Sequence, residues 1–402
     1  MNSFFHRAGA GDRSEPLRKH FMRRVFLGLV LLVLAGGIAF LFRANTVLQK
    51  ISSGKGNLFE NILKSVPGST AKLDGEDAGR INIALLAMRG KDDPAGGLLS
   101  DTIMVLSIHP SQKDGDAPKA SLVSIPRDLY VTVPGTSDRQ KINAVYAYGE
   151  ARGSGQGMEN MKKILTDVTG QPIQYAFAVN YQGFLDIVNM VGGVTVHLDQ
   201  PFSEGTQFHQ PQVCDPYVYT VPAYDSKTKL RLMEDKYQTT STGGKRLTRQ
   251  YPMCYNKDEE CGGVFSLSVG DTHLDGKNAL CFARARDETS DFDRAKRQQE
   301  ILKLVEAKLL SAGTLTDFGK IQSLMTTLGE NLRTDMQGWE LKRAFDLYQK
   351  LGTAGQKLAQ QVLDDSDTGL LYTPPETKET GFILLPKGDN YDRIHALFAS
   401  LP

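Results

Sequence analysis

Ile81-Asn82-Ile83-Ala84-Leu85-Leu86 is a short, almost wholly apolar run, the pattern of a strand buried on both faces. Thr102–Ile108 and Ala120–Ile125 read the same way. Beyond them the period changes. Met158, Met161, Ile164, Leu165 and Val168 fall on one face of a helix that Gly170 would stop. Tyr175–Val179 is a short strand, Phe184–Val191 is helical, Gly192-Gly193 breaks it, and Val194–Leu198 is again a strand. Such alternation predicts an α/β fold, a three-layer α-β-α sandwich with helices covering both faces of the sheet.

Residues 201–265 are polar, rich in Thr, Lys and Tyr, and lack sustained periodicity. They read as an insertion. Structure resumes at Val264–Val269, then Ala279–Arg286 as a strand and Asp291–Leu310 as a long helix. Residues 80–311 are thus the expected main domain. Residues 312–402 read as an accessory region with two helices, about Leu315–Leu328 and Gln337–Leu351, and a late strand at Gly381–Leu385.

On the N-terminal side, residues 44–79 read as a stalk. Before it, Val25–Phe42 carries no charge, close to the roughly 20 apolar residues that span a bilayer core. Residues 1–24 hold six Lys/Arg against Asp12 and Glu15, which places that end in the cytoplasm and the rest of the chain outside. Arg-Ala-Asn-Thr-Val-Leu after Phe42 is a poor cleavage site, so residues 25–43 are expected to be a retained single-pass anchor.

The 402 residues carry a net charge of only +1, which gives no bulk attraction to nucleic acid. Of four cysteines, Cys281 sits in an apolar pattern and reads as a buried thiol. Cys214, Cys254 and Cys261 lie in polar sequence where an oxidising compartment permits a bridge. The reading favours Cys254 with Cys214 or Cys261 and leaves one thiol over.

Chemistry concentrates near residue 290. If Leu280–Arg286 is a strand, Leu280, Phe282, Arg284 and Arg286 form one row, ending in two guanidiniums about 7 Å apart. Ser290 or Asp291 can cap the next helix, on which Arg294, Arg297 and Gln298 share a face with Ile301 and Val305. Four arginines would then converge with Asp293 among them, and arginine suits bidentate phosphate binding. Two further pieces sit at strand ends: Ser124-Ile125-Pro126-Arg127-Asp128, and Ser100-Asp101-Thr102. Beside a pyrophosphate, Asp101 would suit magnesium, which takes one or two carboxylates plus phosphate oxygens. His109, His197, His209 and His273 are scattered and read as structural or surface residues.

Taken in order, these pieces resemble the LytR-CpsA-Psr family of cell-wall glycopolymer ligases. The matching motifs are Leu99–Met104, Ser124–Asp128, Lys141-Ile142-Asn143-Ala144, Asn180–Phe184 with Val191-Gly192-Gly193-Val194, Leu274–Leu280, Arg284-Ala285-Arg286 and Asp293–Gln299. The resemblance implies a mixed central sheet, an apolar channel for a polyprenyl tail, and Mg2+ (or Mn2+) on the pyrophosphate of the carrier. It implies a phosphotransferase moving a teichoic-acid-like or capsular glycopolymer onto peptidoglycan. By position, Asp101 is the metal-linked carboxylate, Arg127, Arg284, Arg286, Arg294, Arg297 and Gln298 hold the pyrophosphate, and Asp293 supports them.

The chain departs from the family pattern twice. Gly-x-Asp after the first strand is here Ala87-Met88-Arg89, with Asp92 and Asp93 displaced; Arg-Ser-Asp before the second is Leu99-Ser100-Asp101. Asp93 is the substitute acid, and Arg89 or Lys91 the substitute cation. Two alternatives remain: a polyprenyl-pyrophosphate hydrolase using water as acceptor, and a non-catalytic polyprenyl-phosphate-binding assembly factor.

Overall fold

The computed structural model describes residues 71–401 apart from 92, 94–96, 111–117, 210, 215–218, 241–242, 257–259, 312–317 and 354–357. The basic N-terminus, the expected anchor at 25–43 and residues 44–70 of the expected stalk lie outside the described residues. Among the described residues no helix is long and apolar enough to cross a membrane.

The three apolar runs form β1 (Ile81–Met88), β2 (Ser100–His109) and β3 (Lys119–Ser124). Helix α1 (Gln156–Thr169) leads to β4 (Tyr175–Asn180), then α2 (Tyr181–Met190) and β5 (Val194–Leu198). Gly170 caps α1 at φ 67°, its N–H returning to Thr166 O, as a left-handed helix stop should. In the turn after α2, Gly193 has φ 79°, and a Cβ there would stand 2.7 Å from Leu274 O, so no larger residue fits.

The described residues of the inserted stretch are largely strands. They include β6 (Phe202–Glu204), β7 (Met233–Thr239) and β8 (Lys245–Asn256). β7 and β8 pair antiparallel. β9 (Phe265–Leu267) returns to pair with β6, and β10 (Gly270–Leu274) with β5. Helix α3 (Gly276–Arg284) and the long α4 (Asp291–Ser311) follow. The C-terminal part adds α5 (Phe318–Leu328), β11 (Leu332–Thr334), α6 (Gly338–Thr353), β12 (Ala359–Val362) and α7 (Asp392–Ser400).

The central sheet runs β11-β4-β1-β2-β3-β12. β1/β4 and β3/β12 are parallel and the other pairs antiparallel, so it is mixed. Side-chain alternation divides its two faces. Ala84, Leu86, Met88, Ile103, Val105 and Val123 pack on α1 through Met158, Met161, Ile164 and Leu165, and on α7 through Ile394 and Phe398. Leu85, Ala87, Met104, Phe177 and Val179 face the other way, toward α2, α3 and α4. There a second core joins Val188, Val194, Val196, Leu274, Phe282, Ile301 and Val305. With both faces covered, the strands read as near-continuous apolar runs.

Five sequence-based expectations change. Ala279–Arg286 is not a strand: Asp275 caps a helix by accepting from Asn278 N at 2.8 Å, and Arg284 lies in its last turn. Residues such as Cys281 and Ala283 are apolar on every second position too, so the alternation had no polar phase to define it. Cys281 is no free thiol, since the disulfides are Cys214–Cys254 and Cys261–Cys281 and no thiol is left over. Residues 312–402 are more than an accessory tail, because β11 and β12 form both edges of the sheet. The expected late strand shrinks to Leu385–Pro386, paired with Leu371–Tyr372. The structured domain also begins before residue 80: Leu73 is buried, and buried Glu76 accepts from Leu73 N and pairs with Arg343 on α6.

Candidate active site

The sheet topology gathers charge at one end. β1, β3 and β4 all finish there and antiparallel β2 begins there, so Arg89, Arg127, Tyr181 and Asp101 meet in the crevice where open α/β sheets place ligands. α3 and α4 close the crevice from above the sheet. The i, i+3, i+4 spacing of Leu280, Ala283 and Arg284 turns that face of α3 inward. Ile301, Leu302 and Val305 do the same for α4.

Between sheet and helices lies a cavity of about 560 Å³ with two chemically distinct parts. Leu85, Met104, Phe177, Val179, Phe184, Ile187, Ile301 and Val305 make an apolar chamber. Arg89, Arg127, Arg284, Arg286, Arg294 and Gln298 line its polar part with Asp101 and Asp287. Five arginines thus face two aspartates in the lining, and the surplus positive charge favours an anion there.

Asp291, at the start of α4, organises three of the arginines. It accepts from Arg294 Nη2 at 2.7 Å and lies 3.5 Å from Arg286 Nη1 and 3.4 Å from Arg127 Nε. Arg127 also donates from Nη1 to Asp101 Oδ1 at 2.6 Å. Burial opposes its charge, but Asp101, Asp291 and Asp128 outweigh that and raise its pKa. The Lys141–Ala144 motif buttresses this residue: Lys141 Nζ donates to Asp128 Oδ1 at 2.6 Å, and Asn143 N to Arg127 O at 3.2 Å.

Arg294 is in the opposite position. It is 6% exposed, and its Nε, like that of Arg127, is buried without a hydrogen-bond partner. Burial first, then the neighbouring Arg127, lower its pKa. A buried cation only partly compensated by its neighbours is what an incoming anion would satisfy.

Arg284 stacks over the Tyr181 ring with its guanidinium carbon 4.8 Å from the centroid, and Arg89 lies 5.7 Å from the same centroid. Arg89 is 3.6 Å from Asp93. The loop carrying Arg286 is pinned by Glu204 of β6, which is fully buried and accepts from the backbone N–H groups of Arg286, Glu288 and Gln207.

Two expected site residues lie elsewhere. Arg297 does not line the cavity: its guanidinium donates to Phe282 O, Ala285 O and Thr289 Oγ1, and burial pushes its pKa down to about 10. Once α3 is a helix its last carbonyls need donors, and Arg297 supplies them. Asp293 does not sit among the arginines either. It shares a capping box with Ser290 (2.7 and 3.0 Å) and pairs with Lys296 at 3.2 Å. Gln298 lines the cavity while donating to Ala283 O at 3.2 Å. Sequence reasoning missed Asp291 as the charge hub, Tyr181 as the stacking platform and Glu204 as the loop anchor. Only Tyr181 gave a signal, as the first residue past a strand running parallel to β1.

Among the described residues no group of three or more His, Cys, Asp or Glu could hold a metal by itself. A magnesium ion carried on phosphate oxygens needs only one or two protein carboxylates. Asp101 fits that donor set, with one carboxylate oxygen held by Arg127 and the residue lining the cavity.

Residues 47–369 match the model of the LytR_cpsA_psr family, and the chain belongs to that family. One relative, from Enterococcus faecalis and named polyisoprenyl-teichoic acid–peptidoglycan teichoic acid transferase TagU, is 25% identical over 65% of this chain and 63% of its own. Another of the same name, from Oceanobacillus iheyensis, is 29% identical over 64% of this chain and 59% of its own. The match spans about three fifths of the length of these two relatives. The fold is similar to that of TagV from Bacillus subtilis, at TM-score 0.50 and 20% identity over 79% of this chain and 95% of that one. It is likewise similar to protein gbs0355 from Streptococcus agalactiae, at TM-score 0.51 and 18% identity over 82% and 90%.

Proposed function

We propose that the protein transfers a glycopolymer from a polyprenyl-pyrophosphate carrier to peptidoglycan, with its domain on the outer side of the cell membrane and residues 25–43 as anchor. The observation that carries this reading is one cavity with an arginine-rich end and an apolar chamber. An amphipathic ligand with an anionic head matches both parts, and TagU, the name of the relatives, describes such a transfer.

Arg127, Arg284, Arg286 and Arg294 hold the two phosphates, Arg89 adds a further cation, and the chamber takes the isoprenoid tail. Asp101 would hold magnesium, which supplies charge neutralisation on phosphate oxygens. The acceptor hydroxyl oxygen attacks the polymer-linked phosphorus, and its proton passes to the departing polyprenyl phosphate. The bond to the bridging oxygen breaks, and polyprenyl phosphate leaves. Phosphoryl transfer of this kind depends on positioning and charge stabilisation more than on a protein nucleophile. Asp291 keeps Arg286 and Arg294 in place, and Glu204 holds the loop on which Arg286 stands.

The test is product analysis with a lipid-linked donor, with and without peptidoglycan. Polymer joined to peptidoglycan together with released polyprenyl phosphate supports the reading. Release at the same rate without acceptor would make the protein a hydrolase. Binding with no release in either case would make it a carrier-binding assembly factor.

A further inference from the structure

The inserted hairpin reaches the cavity through one residue. Tyr255, near the end of β8, is part of the cavity lining. Strand alternation puts Tyr251 and Arg249 on the same face of β8 as Tyr255, with Tyr251 about 13 Å further out. On the paired strand, Lys236 lies opposite Arg249. The Lys236 ammonium is 5.3 Å and the Arg249 guanidinium 5.7 Å from the centroid of the Tyr251 ring. A partly exposed aromatic ring flanked by two exposed cations therefore continues outward from the cavity mouth.

The surrounding charge has the same sign. Between residues 227 and 249 seven Lys/Arg face only Glu234 and Asp235, a net of +5 against +1 for the whole chain. Asp235 is engaged on the other face by Gln250 and Tyr237, leaving Glu234, opposite Tyr251, as the acid on this one. An aromatic face stacks on the C–H side of a sugar or polyol, while flanking cations attract phosphates.

We propose that this hairpin face is an extended subsite for the phosphate-bearing chain of the polymer, beyond the pyrophosphate bound in the cavity. The inference rests on the proposed function and narrows its substrate to an anionic polymer. Continuity with the cavity through Tyr255 and the charge of the hairpin favour this occupant.

The test uses the full chain in detergent and measures binding of three probes separately: a short poly(glycerol phosphate) oligomer, a neutral N-acetylglucosamine oligomer, and a short-chain polyprenyl phosphate without polymer. The unmodified protein should prefer the phosphate oligomer to the neutral one. The charge reversal Lys236→Glu/Arg249→Glu should weaken oligomer binding about tenfold and leave polyprenyl phosphate affinity within twofold. Tyr251→Ala, which keeps both charges, should weaken it severalfold. Unchanged oligomer affinity in both variants overturns the subsite. So does absence of oligomer binding by the unmodified protein; if, in a separate assay, that protein then bound phosphatidylglycerol vesicles and the charge reversal abolished it, the face would belong to a membrane. Failure of the unmodified protein to bind polyprenyl phosphate would count against the proposed function instead.

Discussion

Replacing Arg294 with methionine separates stability from ligand binding. Arg294 is buried in the cavity wall, its Nε has no hydrogen-bond partner, and its closest carboxylate, Asp291, also lies near Arg127 and Arg286. Asp291 therefore keeps two cations within 3.5 Å after the substitution. Removing one partner of a buried ion pair costs ~3–5 kcal/mol when the other is left uncompensated. Because Asp291 keeps Arg127 and Arg286, the unliganded variant should lose less than about 2 kcal/mol and unfold at most a few degrees lower. The bound anion, by contrast, loses a buried charge-assisted partner, a change of about 2–3 kcal/mol or ~100-fold in affinity. At a ligand concentration near 100 times the original Kd, stabilisation falls from ~2.7 to about 0.4 kcal/mol. For a domain of this size that reduces the ligand-induced Tm shift from roughly 5 °C to under about 1 °C. Thermal unfolding followed by fluorescence, with and without polyprenyl phosphate, reads both quantities. A variant destabilised by more than ~3 kcal/mol that keeps its ligand shift would show Arg294 to be a structural residue, and the reasoning would fail.

Three further outcomes follow from the same geometry. Asp101→Asn should lower transfer roughly 100-fold or more and weaken Mn2+ binding measured by electron paramagnetic resonance in the presence of polyprenyl phosphate; unaltered Mn2+ affinity would remove Asp101 from the metal site. Glu204→Ala should cost about 2–4 kcal/mol in denaturant unfolding, because three backbone N–H groups lose their buried acceptor, and a cost near zero would mean the Arg286 loop is held otherwise. Asp293 resists burial with its bonds to Ser290 and Lys296, so its folded pKa lies below the usual 3.8. Its contribution is therefore complete above that value and is lost as pH falls through the lower folded one. Asp293→Asn should flatten the loss of stability below about pH 4, whereas an unchanged acid limb would contradict the capping role.

The parts of the fold legible in the sequence were those with one dominant physical signal. β1, β2 and β3 are apolar because both faces are buried, and α1 shows one uninterrupted apolar stripe ending in a left-handed glycine. β11 and β12 were illegible for the opposite reason: three- and four-residue edge strands carry too little pattern to announce pairing with β4 and β3. The misreading of α3 spread into the site. Treating Leu280–Arg286 as a strand made Arg297 look like a phosphate ligand, since no helix end then needed its donors. As a helix, α3 presents carbonyls that Arg297 and Gln298 satisfy. Arg127, Arg284, Arg286 and Arg294 do line one cavity, Arg294 as its core-directed helix face suggested and Arg127 as its strand end did, whereas Arg284 and Arg286 reach it from the end of a helix and the loop after it. Asp291 was read only as a cap, because nothing in the sequence reports that Arg127 approaches from β3.

The most direct measurement is a crystal structure with a polyprenyl pyrophosphate soaked into the protein. The account predicts the phosphates within hydrogen-bond distance of Arg127, Arg284, Arg286 and Arg294, with the isoprenoid running between Phe177, Phe184 and Ile301. Phosphates bound away from those guanidiniums, or a tail lying outside the chamber while it stays closed, would contradict it.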